Sequence, residues 1–215
     1  MEGFASALVV NPDWQACVDG VAEEIKSAPE ADVGFVYVGD PLSSNTDAIV
    51  EGLRERTGIK DWIGSVGLGV SGRGVVEFDT PALSVLAGSF GETRYRVFDS
   101  TKPTDALNAW ARDNDARFAV VHGDPHVTNL PDDIARFTRE LDGGFLVGGL
   151  SSSRGACPQI ANTAVRGGIS GALFAGDVSV ATQLSQGCTS MGESHRVTRG
   201  DGNLIAELDG RPALE

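Results

Sequence analysis

A block of strand, turn and helix occurs twice in this 215-residue chain. The first copy, Val33 to Gly74, has an apolar strand, a Gly39-Asp40-Pro41 turn, a helix pattern and a glycine-rich strand. The second copy begins at Phe118, repeats the turn as Gly123-Asp124-Pro125 and ends in Ser152-Ser153-Arg154-Gly155. Landmarks that recur in the same order indicate duplicated architecture. The sequence therefore predicts a fold built from two similar halves.

The apolar runs predict a mixed α/β class. Each half has the order β-α-β-α-β-β, and the halves extend over about residues 1–90 and 91–186. The nearly continuous apolar run Val33 to Val38 is typical of a strand covered on both faces. Short turns between Trp62 and Phe90 favour antiparallel pairing. We predict one domain over residues 1–215, with a mixed parallel and antiparallel sheet packed by four main helices.

Local signals predict where the elements begin and end. Asn11 is expected to cap the first helix with Pro12 at its first position, and Gly58 to end the second helix, which begins near Ser44 or Asn45. One strand is predicted at Trp62 to Val70. Apolar periodicity predicts the other elements: strands at Phe4 to Val10, Val75 to Phe78, Leu83 to Phe90, Tyr95 to Phe98, Phe118 to His122, Phe145 to Gly149, Ile169 to Ala175 and Val178 to Leu184, and helices at Thr104 to Arg112 and Asn129 or Leu130 to Leu141.

Residues 187–215 differ from both halves. Val197-Thr198 and Leu204 to Leu208 flank the segment Gly200-Asp201-Gly202-Asn203. Apolar strands on either side of such a turn predict a β-hairpin. The chain stops at Glu215 shortly after a second turn, so the hairpin is expected to lead toward a further, C-terminal region.

Charge and cysteine usage exclude several classes of protein. The formal net charge of −13 argues against nucleic acid or an anionic membrane as partner, because both need an excess of Lys and Arg. Cys17, Cys157 and Cys188 are too few and too scattered for a disulfide framework or a zinc site. No signal peptide and no apolar run of about 18 to 20 residues is visible. A cytoplasmic protein is expected.

Catalytic motifs are few. Gly149-Leu150-Ser151-Ser152-Ser153 lacks the Gly-x-Ser-x-Gly spacing of a nucleophile elbow. The Gly67-x-Gly69-x-x-Gly72 pattern is followed by a strand, whereas a dinucleotide site needs a helix N-terminus there. His122 and His126 flank a proline turn, which does not provide the helical spacing of a metal pair, so no metal is predicted. A hydrolase stays open as an alternative, with Ser71, Ser151 or Cys188 as nucleophile beside His122, His126 or His195.

Two arginine turns offer the strongest binding chemistry. Gly72-Arg73-Gly74 and Ser153-Arg154-Gly155 occupy matching places in the repeat. Turns of this kind expose amide N–H groups, and an arginine fork binds a carboxylate through two hydrogen bonds. They are either contacts for an anionic or zwitterionic ligand or hairpin turns with solvated arginines. The candidate ligand-binding residues are Ser71, Arg73, Ser153, Arg154 and Cys188.

Three segments together point to a known family. Two of them are Ile63-Gly64-Ser65-Val66-Gly67 and Gln186-Gly187-Cys188. The third and most specific contains Val197-Thr198, Gly202-Asn203 and Glu207-Leu208-Asp209-Gly210-Arg211-Pro212-Ala213. These segments resemble the N-terminal part of a FIST domain. The resemblance covers essentially the whole chain. In that family an N-terminal region is normally followed by a C-terminal region.

The resemblance implies a sensory, small-ligand-binding module of bacterial signal transduction that is not an enzyme. It implies a small molecule such as an amino acid as ligand, and as partners the chain's own C-terminal FIST region and a signalling output protein. Some members are thought to bind haem, for which Cys188 and His195 are the candidate axial ligands here. The residues themselves predict no cofactor. A protein-interaction module without a small ligand is the other alternative.

Overall fold

The computed structural model of the protein describes residues 3–28, 30–141, 144–183, 190 and 192–214. The chain forms two compact units, Met1–Val180 and Ala181–Glu215. The mixed α/β class is confirmed. The first unit contains helices α1 (Trp14–Glu24), α2 (Thr46–Thr57), α3 (Asp105–Asp113) and α4 (Leu130–Glu140), and strands β1 (Phe4–Val10), β2 (Val33–Gly39), β3 (Asp61–Gly67), β4 (Gly69–Gly72), β5 (Val75–Phe78), β6 (Ala82–Gly88), β7 (Tyr95–Asp99), β8 (Phe118–Gly123), β9 (Phe145–Leu150), β10 (Gln159–Ala161), β11 (Ala164–Val165) and β12 (Ile169–Phe174).

The strands of the first unit form two main sheets with related strand orders. Sheet 1 has the order β1-β6-β2-β3-β10-β11, and sheet 2 has the order β7-β12-β8-β9. In sheet 1, β6 lies between β1 and β2 and is antiparallel to both. In sheet 2, β12 lies between β7 and β8 and is antiparallel to both. The pairs β2–β3 and β8–β9 are parallel. The strand order of the first half therefore recurs in the second, while β10 and β11 extend sheet 1 and β4–β5 form a separate hairpin.

The two sheets stack face to face between outer helices. On β2, Val36 packs with the residues of α1 and α2, whereas Val33 and Phe35 face sheet 2. On β8, Val121 packs with the residues of α3 and α4, whereas Val120 faces sheet 1. Successive side chains of a strand point to opposite faces, so strands covered on both sides need apolar residues at consecutive positions. Burial on both faces therefore explains the apolar runs by which these strands are recognised in the sequence.

Gly64 and Gly148 allow the parallel strands to approach closely. They lie opposite Val36 and Val121 in the β2–β3 and β8–β9 pairs. A Cβ atom on either glycine would be 1.7 Å from the carbonyl oxygen of the opposing valine. No side chain can be accommodated at that distance, so glycine is required at corresponding places in both sheets.

The structure corrects the predicted start of the first helix. Asp13, not Asn11, is the N-cap, and its carboxylate accepts a hydrogen bond from the Gln15 amide at 2.9 Å. Asn11 instead accepts from the Asp13 amide at 2.9 Å, which orients the residue that caps the helix. The predicted end of the second helix is confirmed, because Gly58 follows α2 in the left-handed conformation with φ of 75°.

Two predicted strands also differ from the structure. The run from Trp62 to Val70 is divided into β3 and β4, because the chain bends so tightly that a Cβ on Gly67 would lie 2.7 Å from the Gly69 carbonyl oxygen. Residues 178–183 form no strand. The chain leaves sheet 2 at a turn where the Gly176 amide donates to the Asn114 carbonyl at 2.9 Å. Leu184 lies outside the described residues.

The second unit contains a small antiparallel sheet in its described part. Its strands are β13 (Val197–Asp201), β14 (Leu204–Leu208) and β15 (Arg211–Pro212). The predicted hairpin is confirmed, since β13 and β14 pair around a turn in which Gly202 has φ of 55°. The His195 ring and the Asp209 carboxylate are 2.7 Å apart on this hairpin.

Candidate functional site

The carboxyl ends of the parallel strands in both sheets are joined by residues 151–158. The Ser151 amide donates to the Gly123 carbonyl of sheet 2 at 2.9 Å, and the Ser152 amide donates to the Val66 carbonyl of sheet 1 at 3.1 Å. Ligands of open α/β sheets bind beyond the carboxyl ends of the strands. This region is the candidate site, called the strand-end site, and it consists of Asp40, Asp79, Asp124, Ser153, Arg154 and Cys157.

Asp40 follows β2 and holds the joining segment in place. Its Oδ1 atom accepts hydrogen bonds from the Ser153 hydroxyl and, at 3.2 Å, from the Arg154 amide. The Arg154 guanidinium lies 3.5 Å from Asp40 Oδ2 and donates two hydrogen bonds to Asp79 at 2.5 and 2.6 Å. These bonds keep the pKa of Asp79 below its usual range. Two carboxylates therefore surround one guanidinium.

Asp124 follows β8 and is almost buried. It accepts hydrogen bonds from the amides of His126 and Gly167, both at 2.9 Å, and lies 3.1 Å from His126 Nδ1. Burial raises the pKa of Asp124, but the bonds from His126 and Gly167 outweigh it, so the net pKa lies below the usual range. Asp124 is therefore ionised at neutral pH.

Cys157 lies in the segment that joins the two sheets, with its sulfur 3.9 Å from the Ser153 carbonyl oxygen. The thiol is buried, and its pKa is raised first by that burial and then by the negative charges of Asp124 and Asp40. A thiol with a raised pKa is protonated at neutral pH and is a poor nucleophile. Both Gly-Asp-Pro turns are hydrogen-bonded to this segment, because the Gly123 carbonyl accepts from the Ser151 amide and Asp40 accepts from the Arg154 amide.

The structure separates the two arginines that the repeat makes equivalent. Ser153 and Arg154 belong to the strand-end site. Arg73 lies in the β4–β5 turn with φ of 52°, and its guanidinium pairs with Glu24 at 2.6 Å. The segment around Arg154 is a loop between β9 and β10, not a hairpin turn. Only one of the two predicted arginines is therefore in contact with the strand-end carboxylates.

The remaining predicted residues do not form a catalytic pair in the described structure. The Ser71 carbonyl accepts from the Ser84 hydroxyl at 2.7 Å, and the hydroxyl groups of Ser151 and Ser65 are 2.7 Å apart. Cys188 lies outside the described residues. The rings of the three histidines are bonded to Tyr37, Asp124 and Asp209. Among the hydrogen bonds of the described residues, none joins a histidine ring to a serine or cysteine side chain.

His122 connects the two sheets next to the strand-end site. It is 3% exposed and lies on the face of β8 that is turned towards sheet 1. Its Nε2 atom is 3.3 Å from the Tyr37 hydroxyl of β2, and the two rings meet edge to face with centroids 5.6 Å apart. Burial lowers the pKa of His122 to about 4 and raises the pKa of Tyr37.

We expect His122 to make the free energy of unfolding fall as the pH drops from about 6.5 to about 4. The unfolded chain takes up a proton at the ordinary histidine pKa, whereas the folded chain does so only near the lowered one, so acid favours unfolding across this window. Below the window both states are protonated and His122 contributes no further loss. Urea unfolding at several pH values measures the effect. His122→Gln should show a shallower decline, and equal slopes would contradict this account.

None of four cavities found among the described residues is lined by a residue of the strand-end site. One of about 390 Å³, at the amino ends of the strands, is lined in part by Asp32, Asp61 and Tyr95. The side chains of these three residues are hydrogen-bonded to one another or to backbone amides. The Tyr95 hydroxyl donates to Asp61 at 2.9 Å, and Asp32 accepts from the amides of Phe90 at 3.1 Å and Gly91 at 2.6 Å. These bonds fix the positions of both carboxylates.

The structure describes one of the two candidate axial ligands for haem, His195. An axial ligand must stand beside a space that encloses the macrocycle. His122 is packed between the sheets, and none of four cavities found among the described residues is lined by histidine or cysteine. Of the two candidates, His195 is exposed beside Asp209, and Cys188 lies outside the described part of the chain. Within that part, no group of three or more His, Cys, Asp or Glu residues is arranged to hold a metal ion.

The fold and the site define a two-sheet α/β domain with charged groups gathered at the strand ends. The family model of the FIST N domain matches residues 32–211, so the chain belongs to the FIST N domain family, as its sequence resemblance predicts. This family is associated with sensory signalling. No curated protein matches the chain. No helix among the described residues has the length and apolar character needed to cross a membrane.

Proposed function

We propose that this chain is a sensory domain that binds a small zwitterion, such as an amino acid, at the strand-end site. The proposal rests on one observation: the segment that carries Arg154 is hydrogen-bonded to both Gly-Asp-Pro turns, through the Ser151 amide to the Gly123 carbonyl and through the Arg154 amide to Asp40. Membership of a family associated with sensory signalling supports the sensory role. The ligand would report to a signalling output protein and to a C-terminal FIST region.

The balance of charge favours a ligand that carries an ammonium group. Asp40, Asp79 and Asp124 supply carboxylates, while Arg154 supplies a guanidinium. A purely anionic ligand would add to an excess of negative charge. A zwitterion fits better, because its ammonium group lies beside the aspartates while its carboxylate accepts hydrogen bonds from Arg154.

We expect at least one of the common amino acids, tested singly with the wild-type chain, to raise the midpoint of thermal unfolding. A ligand at about 100 times its Kd stabilises the folded state by about 2.7 kcal/mol. For a chain of this size that corresponds to a shift on the order of 5 to 10 °C.

Matched ligands test the proposed chemistry. The N-acetyl form of the active amino acid lacks the ammonium group, and its amide form lacks the carboxylate. Both should give a much smaller shift at the same concentration. The proposal is wrong if no amino acid shifts the midpoint, or if the N-acetyl form works as well as the free amino acid.

Strand β9 favours a protein-interaction module as a second candidate. β9 is an edge strand of sheet 2, and its Phe145 and Leu150 side chains are each 56% exposed. Edge strands with exposed apolar side chains readily pair with strands of other chains. This candidate predicts that the chain binds a protein partner equally well with and without an amino acid.

A further inference from the structure

Three buried polar atoms between the sheets have no hydrogen-bond partner among the described residues. They are His122 Nδ1, Gln159 Oε1 and Ser170 Oγ. Their residues are between 0% and 3% exposed. Buried polar atoms in folded proteins are almost always bonded to protein or to an ordered water molecule. Because all three atoms lack a hydrogen-bond partner, we infer that a bound molecule satisfies them.

Strand register and hydrogen bonds bring these side chains together. Ser170 lies directly opposite His122 in the antiparallel β12–β8 pair. Such residues share a face and have Cβ atoms about 4.5 to 5.5 Å apart. Gln159, on β10, donates through Nε2 to the Gly168 carbonyl at 3.2 Å, and the same carbonyl accepts from the Asp124 amide at 3.1 Å. The Gln159 amide is therefore held where β8 ends and β12 begins.

We propose that His122, Gln159 and Ser170 bind one internal water molecule between the two sheets. Gln159 Oε1 can only accept, and His122 Nδ1 accepts when the ring proton is on Nε2, while the Ser170 hydroxyl can donate. Two acceptors and one donor match the two O–H groups and a lone pair of one water molecule. Buried water molecules typically make about three hydrogen bonds.

The surroundings favour water over a cation or an organic ligand. All three side chains are neutral at pH 7, so they carry no charge that would attract a cation. Almost complete burial of the three residues leaves no opening for a larger molecule. The Tyr37 hydroxyl faces the other ring nitrogen, so the water fixes a tautomer in which His122 Nε2–H donates to Tyr37.

The water links sheet 1 to sheet 2 next to the strand-end site. Gln159 belongs to sheet 1, whereas His122 and Ser170 belong to sheet 2. The Gly167-Gly168 segment bonds both to Gln159 and to Asp124. The water therefore supports the loop that positions Asp124, independently of whether an amino acid binds there.

Two measurements on the full chain test the proposal. Nitrogen-15 NMR of the wild-type histidine rings at neutral pH should find the His122 proton on Nε2 and a hydrogen-bonded Nδ1. Oxygen-17 magnetic relaxation dispersion should detect at least one long-lived internal water. A proton on Nδ1, or a wild type without a long-lived water, overturns the proposal.

A pair of serine variants locates the water. Ser170→Val replaces the hydroxymethyl side chain by an isopropyl group, which removes the hydroxyl donor and fills the space, so it should lose one long-lived water. Ser65→Ala is the control, because the Ser65 hydroxyl already has a partner in Ser151 at 2.7 Å, and its water count should match the wild type. An unchanged count in Ser170→Val overturns the proposal. If that variant does not fold, the wild-type tautomer and water count decide.

Discussion

Gly148→Ala should lower the free energy of unfolding by about 3 kcal/mol or more. The added Cβ would lie 1.7 Å from the Val121 carbonyl oxygen in the neighbouring parallel strand. Both atoms belong to the backbone or its first substituent, so no rotamer change relieves the overlap. β9 would have to move away from β8 and lose part of the pairing that holds it in sheet 2.

Gly149→Ala is the matched control for this prediction. Gly149 is the next residue of the same strand, and a Cβ there would meet no atom within 4 Å. The change should leave stability the same or raise it by up to about 1 kcal/mol, because alanine restricts the unfolded chain more than glycine does. Urea unfolding of both variants measures the difference. Similar losses in the two variants would show that close strand approach is not the reason for glycine at Gly148.

Arg154→Ala should weaken amino-acid binding by about 10-fold to 100-fold. Hydrogen bonds that involve a charged group contribute about 1.5 to 3 kcal/mol, which corresponds to this range of affinity. In the proposed site the arginine would donate to the ligand carboxylate, and it pairs with Asp40 and Asp79. Isothermal titration with the amino acid that gives the largest thermal shift measures the change.

Arg73→Ala provides the comparison for Arg154→Ala. The two side chains are similarly exposed, at 57% and 62%, and each pairs with carboxylate groups. Arg73 pairs with Glu24 on α1, so its loss should leave the affinity for the amino acid unchanged. Equal weakening by both variants would favour the sequence prediction that both turns contact the ligand. Unchanged affinity in both variants would show that neither arginine contributes to amino-acid binding.

Features that depend on neighbouring residues in the sequence could be predicted. The strand positions of β2 and β8 follow from their apolar runs, and the end of α2 follows from Gly58. The N-cap of α1 was harder to predict, because Asn11 and Asp13 are both good capping residues. The choice depends on the backbone, since Asn11 bonds to the Asp13 amide and leaves Asp13 to cap.

Features that depend on distant parts of the chain could not be predicted. β10, Gln159–Ala161, is too short for periodicity to reveal, and it joins sheet 1 although it lies in the sequence between β9 and β12 of sheet 2. The strands of the first unit form two stacked main sheets, whereas the sequence predicted one mixed sheet. The partner of Arg154 is Asp79, 75 residues away, and no local pattern connects them. The sequence indicated Arg154 as a binding residue but could not indicate the carboxylates around it.

Native mass spectrometry of the wild-type chain, as purified from cells and again after addition of single amino acids, tests the central claim most directly. The account predicts a complex with one small zwitterion that is retained by Arg73→Ala and lost or strongly reduced in Arg154→Ala. A bare mass under all of these conditions would contradict binding at the strand-end site. A complex that persists unchanged in Arg154→Ala would contradict its location.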